Sequence, residues 1–109
     1  MYKKKYFAFL DIIISEIIPQ RIQTQVINIH LKKYKSEISF YSTEEHSSYK
    51  KLSALKTKIN EKPKIEGFVF YSFLQFCYDK KIDFKLLKKI LKSYSCIFVR
   101  ENLKFDKVD

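Results

Sequence analysis

Short continuous apolar runs punctuate this chain, and the segments between them repeat apolar residues at helical spacing. The plainest run lies in Ile65-Glu66-Gly67-Phe68-Val69-Phe70, which opens on the only glycine of the protein. An apolar run bounded by turn signals reads as a strand covered on both faces. It gives way to the polar segment Tyr71-Ser72-Phe73-Leu74-Gln75. A first strand is read at Tyr6–Leu10, where Asp11 ends the run, and a fourth at Ser95–Val99. Glu37–Ser42 is short and alternating, as suits a strand at a sheet edge.

Helical spacing fills the gaps. Pro19 suits the first turn of a helix, where its missing N–H costs little. Ile22, Val26 and Ile29 then share one face, with Ile27, Leu31 and Tyr34 beside them, so this helix is expected to run to about Lys35. Tyr49, Leu52, Leu55 and Ile59 predict a second helix from about Ser48 to Asn60, ended by Lys62-Pro63. A third is expected from Asp83 as N-cap, with Phe84, Leu87, Ile90 and Leu91 turned inward. The segment Ile12–Ile18 is apolar where a loop should be polar, and its role stays open as core, lid or interface.

Strands alternating with helical crossovers predict an α/β fold. Right-handed crossovers suggest a small doubly wound, three-layer sandwich of about four parallel strands in the order 2-1-3-4, flavodoxin- or resolvase-like. At 109 residues the chain is read as a single domain, residues 1–109. Four strands leave two exposed edges, which makes a homodimer plausible.

Charge changes the picture only in part. The balance of 22 basic and 12 acidic residues gives a net charge of +10, which favours anionic neighbours. Only Arg21 and Arg100 are arginines, however. Recognition of bases and phosphates favours the arginine fork, so a dedicated nucleic-acid surface is not the leading expectation. Met1-Tyr2-Lys3-Lys4-Lys5 and the apolar stretch to Ile18 imitate a signal peptide, but Asp11, Ser15 and Glu16 interrupt it. No apolar run is long enough for a membrane span. Cys77 and Cys96 read as small buried residues rather than a disulfide framework, which fits a cytoplasmic location.

Ligands of parallel α/β sheets sit beyond the carboxyl ends of the strands. That rim is expected to carry Asp11, Ser15 and Glu16; Ser42, Thr43, Glu44 and His46; Tyr71, Ser72 and Gln75; and Arg100, Glu101 and Asn102. The first helix begins there too, bringing Gln20, Arg21 and Gln23 beside free N–H groups suited to an anion. The candidate ligand-binding set is therefore Gln20, Arg21, Gln23, Ser42, Tyr71, Ser72 and Gln75, with the crevice expected near Ser72 and Gln20. His46, flanked by Glu44 and Glu45, and Glu44 itself are the candidates for proton transfer. Ser72 is a candidate nucleophile, phosphate donor or simple turn former. His30 reads as a packed or half-exposed ring. No phosphate loop, dinucleotide fingerprint, GxSxG elbow or HExxH is present, and no metal quartet has convincing spacing; no metal or cofactor is expected.

Three blocks carry a resemblance: Pro19-Gln20-Arg21-Ile22-Gln23-Thr24, Ser42-Thr43-Glu44-Glu45-His46 and Ile65–Gln75. In this order they resemble the small "sporadic carbohydrate cluster" family encoded among bacterial surface-polysaccharide genes, over about Pro19 to Asn102. Thr24 stands where that family tends to have Asn, and Phe76-Cys77 replaces its Leu-Pro. The family carries no assigned reaction, so the resemblance implies a context rather than a mechanism. That context is an accessory role in surface-polysaccharide biosynthesis, with a nucleotide sugar or phosphosugar, or a partner enzyme, bound at the rim. A looser likeness to serine recombinase catalytic domains lacks the Arg-x-Ser strand end and stands as a fold analogy. The alternatives are a nucleic-acid-binding or recombinase-related module, and a non-catalytic subunit that docks a partner through Ile12–Ile18.

Overall fold

The computed structural model describes residues 4–11, 18–44, 53–73, 77–78, 81–82 and 84–107. Their elements are β1 (Lys4–Asp11), α1 (Gln20–Lys32), β2 (Ser36–Glu44), α2 (Ser53–Asn60), β3 (Gly67–Phe70), β4 (Cys77–Tyr78), β5 (Lys81–Ile82), α3 (Phe84–Leu91), β6 (Ser95–Phe98) and β7 (Leu103–Phe105). The fold is mixed α/β. Its main sheet has five strands in the order β2-β1-β3-β6-β7, and β4 and β5 form a separate antiparallel ribbon. Pairings β1·β2, β1·β3 and β3·β6 are parallel, while β7 returns antiparallel along β6.

The expectation of about four parallel strands is thus corrected to five, of which one is antiparallel. The added strand is only Leu-Lys-Phe, too short for a periodicity signal. It folds back because the chain turns tightly after β6: the Asn102 N–H donates to the Val99 carbonyl at 3.0 Å. Asn102 sits at a φ of 55°, a left-handed conformation that asparagine tolerates better than most residues.

Each face of the sheet buries its own cluster. Phe7, Phe9, Phe68, Phe70, Cys96 and Phe98 pack with Leu55 of α2 and with Leu86, Leu87 and Ile90 of α3. Tyr6, Ala8, Leu10, Val69, Tyr71, Ile97 and Val99 pack with Ile27 and Leu31 of α1. The alternation along β1, β3 and β6 therefore feeds two cores, as expected of strands covered on both faces. Cys96 is fully buried, and burial pushes its thiol pKa up, away from thiolate chemistry. Among the described residues no helix is long and apolar enough to cross a membrane.

Two helical faces differ from expectation. The buried stripe of α1 is Gln23, Ile27, His30 and Leu31, whereas Ile22, Val26 and Ile29 are exposed. The two stripes lie roughly a third of a turn apart on the helix, and periodicity alone does not say which one the sheet selects. The Gln23 Nε2 donates to the Ile18 carbonyl at 3.0 Å, which satisfies a polar group that the sheet-facing stripe must carry. In α3, Leu86 turns inward with Leu87 and Ile90, and Phe84 is left exposed. In α2 the described helix begins at Ser53, and residues 48–52 of the expected helix lie outside the described residues.

His30 packs beside Tyr34, ring centroids 5.7 Å apart, and its Nε2 is buried with no hydrogen-bond partner. Burial, with a smaller contribution from the Lys33 ammonium, holds its pKa below the usual histidine value. The unfolded chain therefore binds this proton at a higher pH than the folded chain does. Stability is full above about pH 6.5 and falls as the pH drops from there toward the lowered folded value. Urea midpoints at pH 7.5 and 5.5 should show this acid-side decline, and His30→Leu should flatten it. Because the variant also removes an unsatisfied buried nitrogen, it should be about 1 kcal/mol more stable at pH 7.5.

Candidate functional site

Parallel pairing of β2, β1, β3 and β6 brings the carboxyl ends of these strands to one rim, where α1 also begins. Pro19 holds φ at −55° and ψ at 149°, so the chain enters α1 from extended backbone. The Pro19 carbonyl accepts from the Ile22 N–H at 2.9 Å and from the Gln23 N–H at 3.1 Å. Among the described residues no side chain caps this end, and its first turn holds no acidic residue, so the positive end of the helix dipole meets no carboxylate there.

Beside it lies a depression of 610 Å³ lined by Leu10, Gln20, Arg21, Thr24, Gln25, Tyr41 and Ser42. Its volume is within the range of small-molecule sites. The floor is the end of β1, one wall is the first turns of α1, and the other is the end of β2. Gln20, Arg21 and Gln25 are exposed there, and Thr24 is half-buried with its hydroxyl donating to the Gln20 carbonyl at 3.0 Å. Tyr41 is 61 % exposed at the end of this edge strand. A guanidinium, two amides, the hydroxyls of Thr24 and Ser42 and an open aromatic face make a surface that can hold an anion and stack a ring.

Of the candidate residues, Gln20, Arg21 and Ser42 converge in this depression. Gln23 does not join them: it is fully buried and bonded to the Ile18 carbonyl. Tyr71 packs in the α1-side core. Ser72 is fully buried, and its hydroxyl donates to Glu101 Oε2 at 2.8 Å. The second Glu101 oxygen accepts from the Phe73 N–H at 2.8 Å. His46, Gln75, Ser15, Glu16 and residues 12–17 as a whole lie outside the described residues, and Glu44 and Thr43 enter only through the backbone of β2. The crevice is expected between the first and third strands, near Ser72 and Gln20; the depression lies instead on the β1–β2 side and takes in Gln20 but not Ser72.

Tyr41, Thr24 and Gln25 are lining residues not singled out from the sequence. Tyr41 reads there as a strand residue, and only its place beside Ser42 at the end of an edge strand could have drawn notice. Glu101, named among the rim residues from the sequence, does not line the depression. Its carboxylate ties the end of β3 to the turn between β6 and β7, so Ser72 acts within the described residues as part of a built turn. Glu101→Ala removes this acceptor from a buried hydroxyl and a backbone N–H and should cost about 2 kcal/mol. Urea denaturation measures the loss, and faster hydrogen exchange at the Phe73 amide would locate it. Glu101→Gln, which keeps one acceptor oxygen, should lose less.

Among the described residues no group of His, Cys, Asp and Glu side chains is arranged to hold a metal ion. No family model matches the chain, and neither a curated protein nor a solved structure matches it.

Proposed function

We propose that this chain binds a nucleotide sugar or phosphosugar in the Arg21 depression, as a cytoplasmic accessory protein of surface-polysaccharide biosynthesis. The observation that carries this reading is the convergence of Gln20, Arg21, Tyr41 and Ser42 on one rim depression. The Arg21 fork suits a phosphate, which the uncapped start of α1 also favours. Gln20, Gln25 and Ser42 suit the hydroxyls of a sugar, and the exposed Tyr41 ring suits the face of a base or sugar. The two-sided packing of helices on the sheet is in keeping with a flavodoxin- or resolvase-like doubly wound layout, in which rim sites are the rule. The carbohydrate context rests on the resemblance of the Pro19–Thr24, Ser42–His46 and Ile65–Gln75 blocks.

Thermal melting against nucleotide sugars, sugar phosphates and free nucleotides tests the reading, with heparin as the control for unspecific charge. A ligand at ~100 times its Kd adds about 2.7 kcal/mol and raises the midpoint by several degrees. The expected result is a shift with one ligand class that Arg21→Ala and Tyr41→Ala both abolish. Equal shifts with heparin, or a shift that survives both substitutions, would remove the site assignment.

A further inference from the structure

A second concave site lies at the opposite end of the sheet. The C-terminal ends of α2 and α3 lead into β3 and β6, and between them is a cleft of 500 Å³ lined by Ile59, Asn60, Lys62, Lys89, Lys92, Ser93 and Tyr94. One wall is fixed by the Tyr94 hydroxyl, which donates to the Pro63 carbonyl at 2.8 Å. The remaining polar lining is three ammonium groups, an amide and a serine hydroxyl, with no carboxylate. One cation would be enough to complement a helix C-terminus; here three line one cleft.

The charge continues outward. Lys85, Lys88, Lys89 and Lys92 recur at positions i, i+3, i+4 and i+7, all exposed, on the side of α3 opposite its buried Leu86, Leu87 and Ile90. Like charges at these spacings repel and weaken a helix. Elsewhere among the described residues, four lysines meet carboxylates: Lys4 and Lys107 approach Glu66, Lys58 approaches Glu61, and Lys104 approaches Asp106, while others such as Lys32, Lys33 and Lys64 also stand outside these pairs. Among the described residues no ion pair involves Lys62, Lys85, Lys88, Lys89 or Lys92.

Lys62 enters the cleft from a helix-ending turn. It holds a φ of 52° just past the end of α2, its N–H donating to the Ile59 carbonyl at 3.0 Å. Glycine or asparagine normally takes such a helix-ending position, because a side chain strains it. Lys35, just past α1, holds the same φ, so the conformation is not peculiar to this end of the sheet; at Lys62 it sets a lysine among the lining residues of the cleft.

We propose that this cleft holds the phosphodiester backbone of a nucleic acid, without sequence preference, through Lys62, Lys89 and Lys92, with Lys85 and Lys88 extending the contact along α3. A line of cations the length of this helix, roughly 12 Å, outreaches a single phosphate group. Lysine supplies point charges to phosphates but not the bidentate fork that reads bases, so the surface positions a strand rather than reading it. The concave shape suits a strand better than it suits the flat surface of a membrane.

Fluorescence anisotropy of a labelled 20-nucleotide duplex, in two unrelated sequences and over a series of salt concentrations, tests this. The expected result is equal affinity for both sequences and a linear fall of log K with log salt, with a slope of about −0.9 per phosphate neutralised. Lys89→Gln with Lys92→Gln should weaken binding about tenfold or more and make the slope shallower by about two. Lys32→Gln with Lys33→Gln, on the α1 side, should change neither. Lys62→Gly should weaken binding without lowering the melting midpoint, which separates a lost contact from a lost fold. Equal losses in the two double variants would overturn the proposal, as would binding to phosphatidylserine vesicles or to tripolyphosphate without binding to the duplex. Arg21→Ala should leave duplex binding intact, which keeps this site independent of the rim depression.

Discussion

Gly67→Ala is expected to cost about 3 kcal/mol or more, a large share of the 5–15 kcal/mol that holds a domain of this size together. Gly67 begins β3, buried between two neighbours, pairing with Tyr6 on one side and Ser95 on the other. A methyl group there would run into the Ser95 carbonyl oxygen and would stand 2.7 Å from the carbonyl carbon and 2.8 Å from the nitrogen of the same residue. All three atoms are backbone, so no rotamer change can relieve the contact. The strand would have to move away from β6, at the expense of the ladder between them. The glycine serves close approach here and not a special φ, since it does not take a positive value. Urea denaturation of the variant should show the loss, and Ser95→Gly added as a second substitution should not restore it. Rescue by that second change would instead place the clash on the serine side chain.

Phe70→Ala should cost about 3–5 kcal/mol, the usual range for emptying a phenylalanine site in a core. Phe9, Phe70 and Phe98 stand in register on β1, β3 and β6. The middle ring stacks on both neighbours, at 5.6 Å and 13° on the Phe9 side and at 5.3 Å and 17° on the Phe98 side. All three side chains are buried to within 1 % of completely. Such pairs contribute about 0.5–1.5 kcal/mol each beyond the area they bury. Phe70→Leu, which keeps most of the volume and loses both stacks, should therefore cost about 1–3 kcal/mol. For a domain near this size the alanine variant should melt more than about 12 °C below the parent. A smaller change would mean that α2 and α3 can collapse onto the vacated space.

The two candidate sites sit at opposite ends of the same sheet and draw on different parts of the sequence. The rim depression takes Arg21 and Tyr41 from the β1–β2 side. The lysine cleft takes its cations from the ends of α2 and α3. Residues near the rim were legible because an arginine after a helix-starting proline, at the head of a crossover, has few other places to be. The lysine cleft was not legible. Twenty lysines along a chain look alike until the helices show which ones share a face and which ones meet carboxylates.

Periodicity and turn chemistry alone decided the α/β class, the alternation of strand and helix, and the burial of Gly67–Phe70 on both faces. Those features depend on local preference and on the two periods of side-chain direction, which are properties of short segments. Tertiary structure decided which stripe of α1 faces the sheet, leaving Ile22 and Val26 outside and Gln23 and His30 within. It decided that a three-residue strand would close the edge beside β6, and that Ser72 would be held by Glu101. These choices depend on contacts between segments far apart in sequence, and no local signal distinguishes one partner from another until the chain has packed.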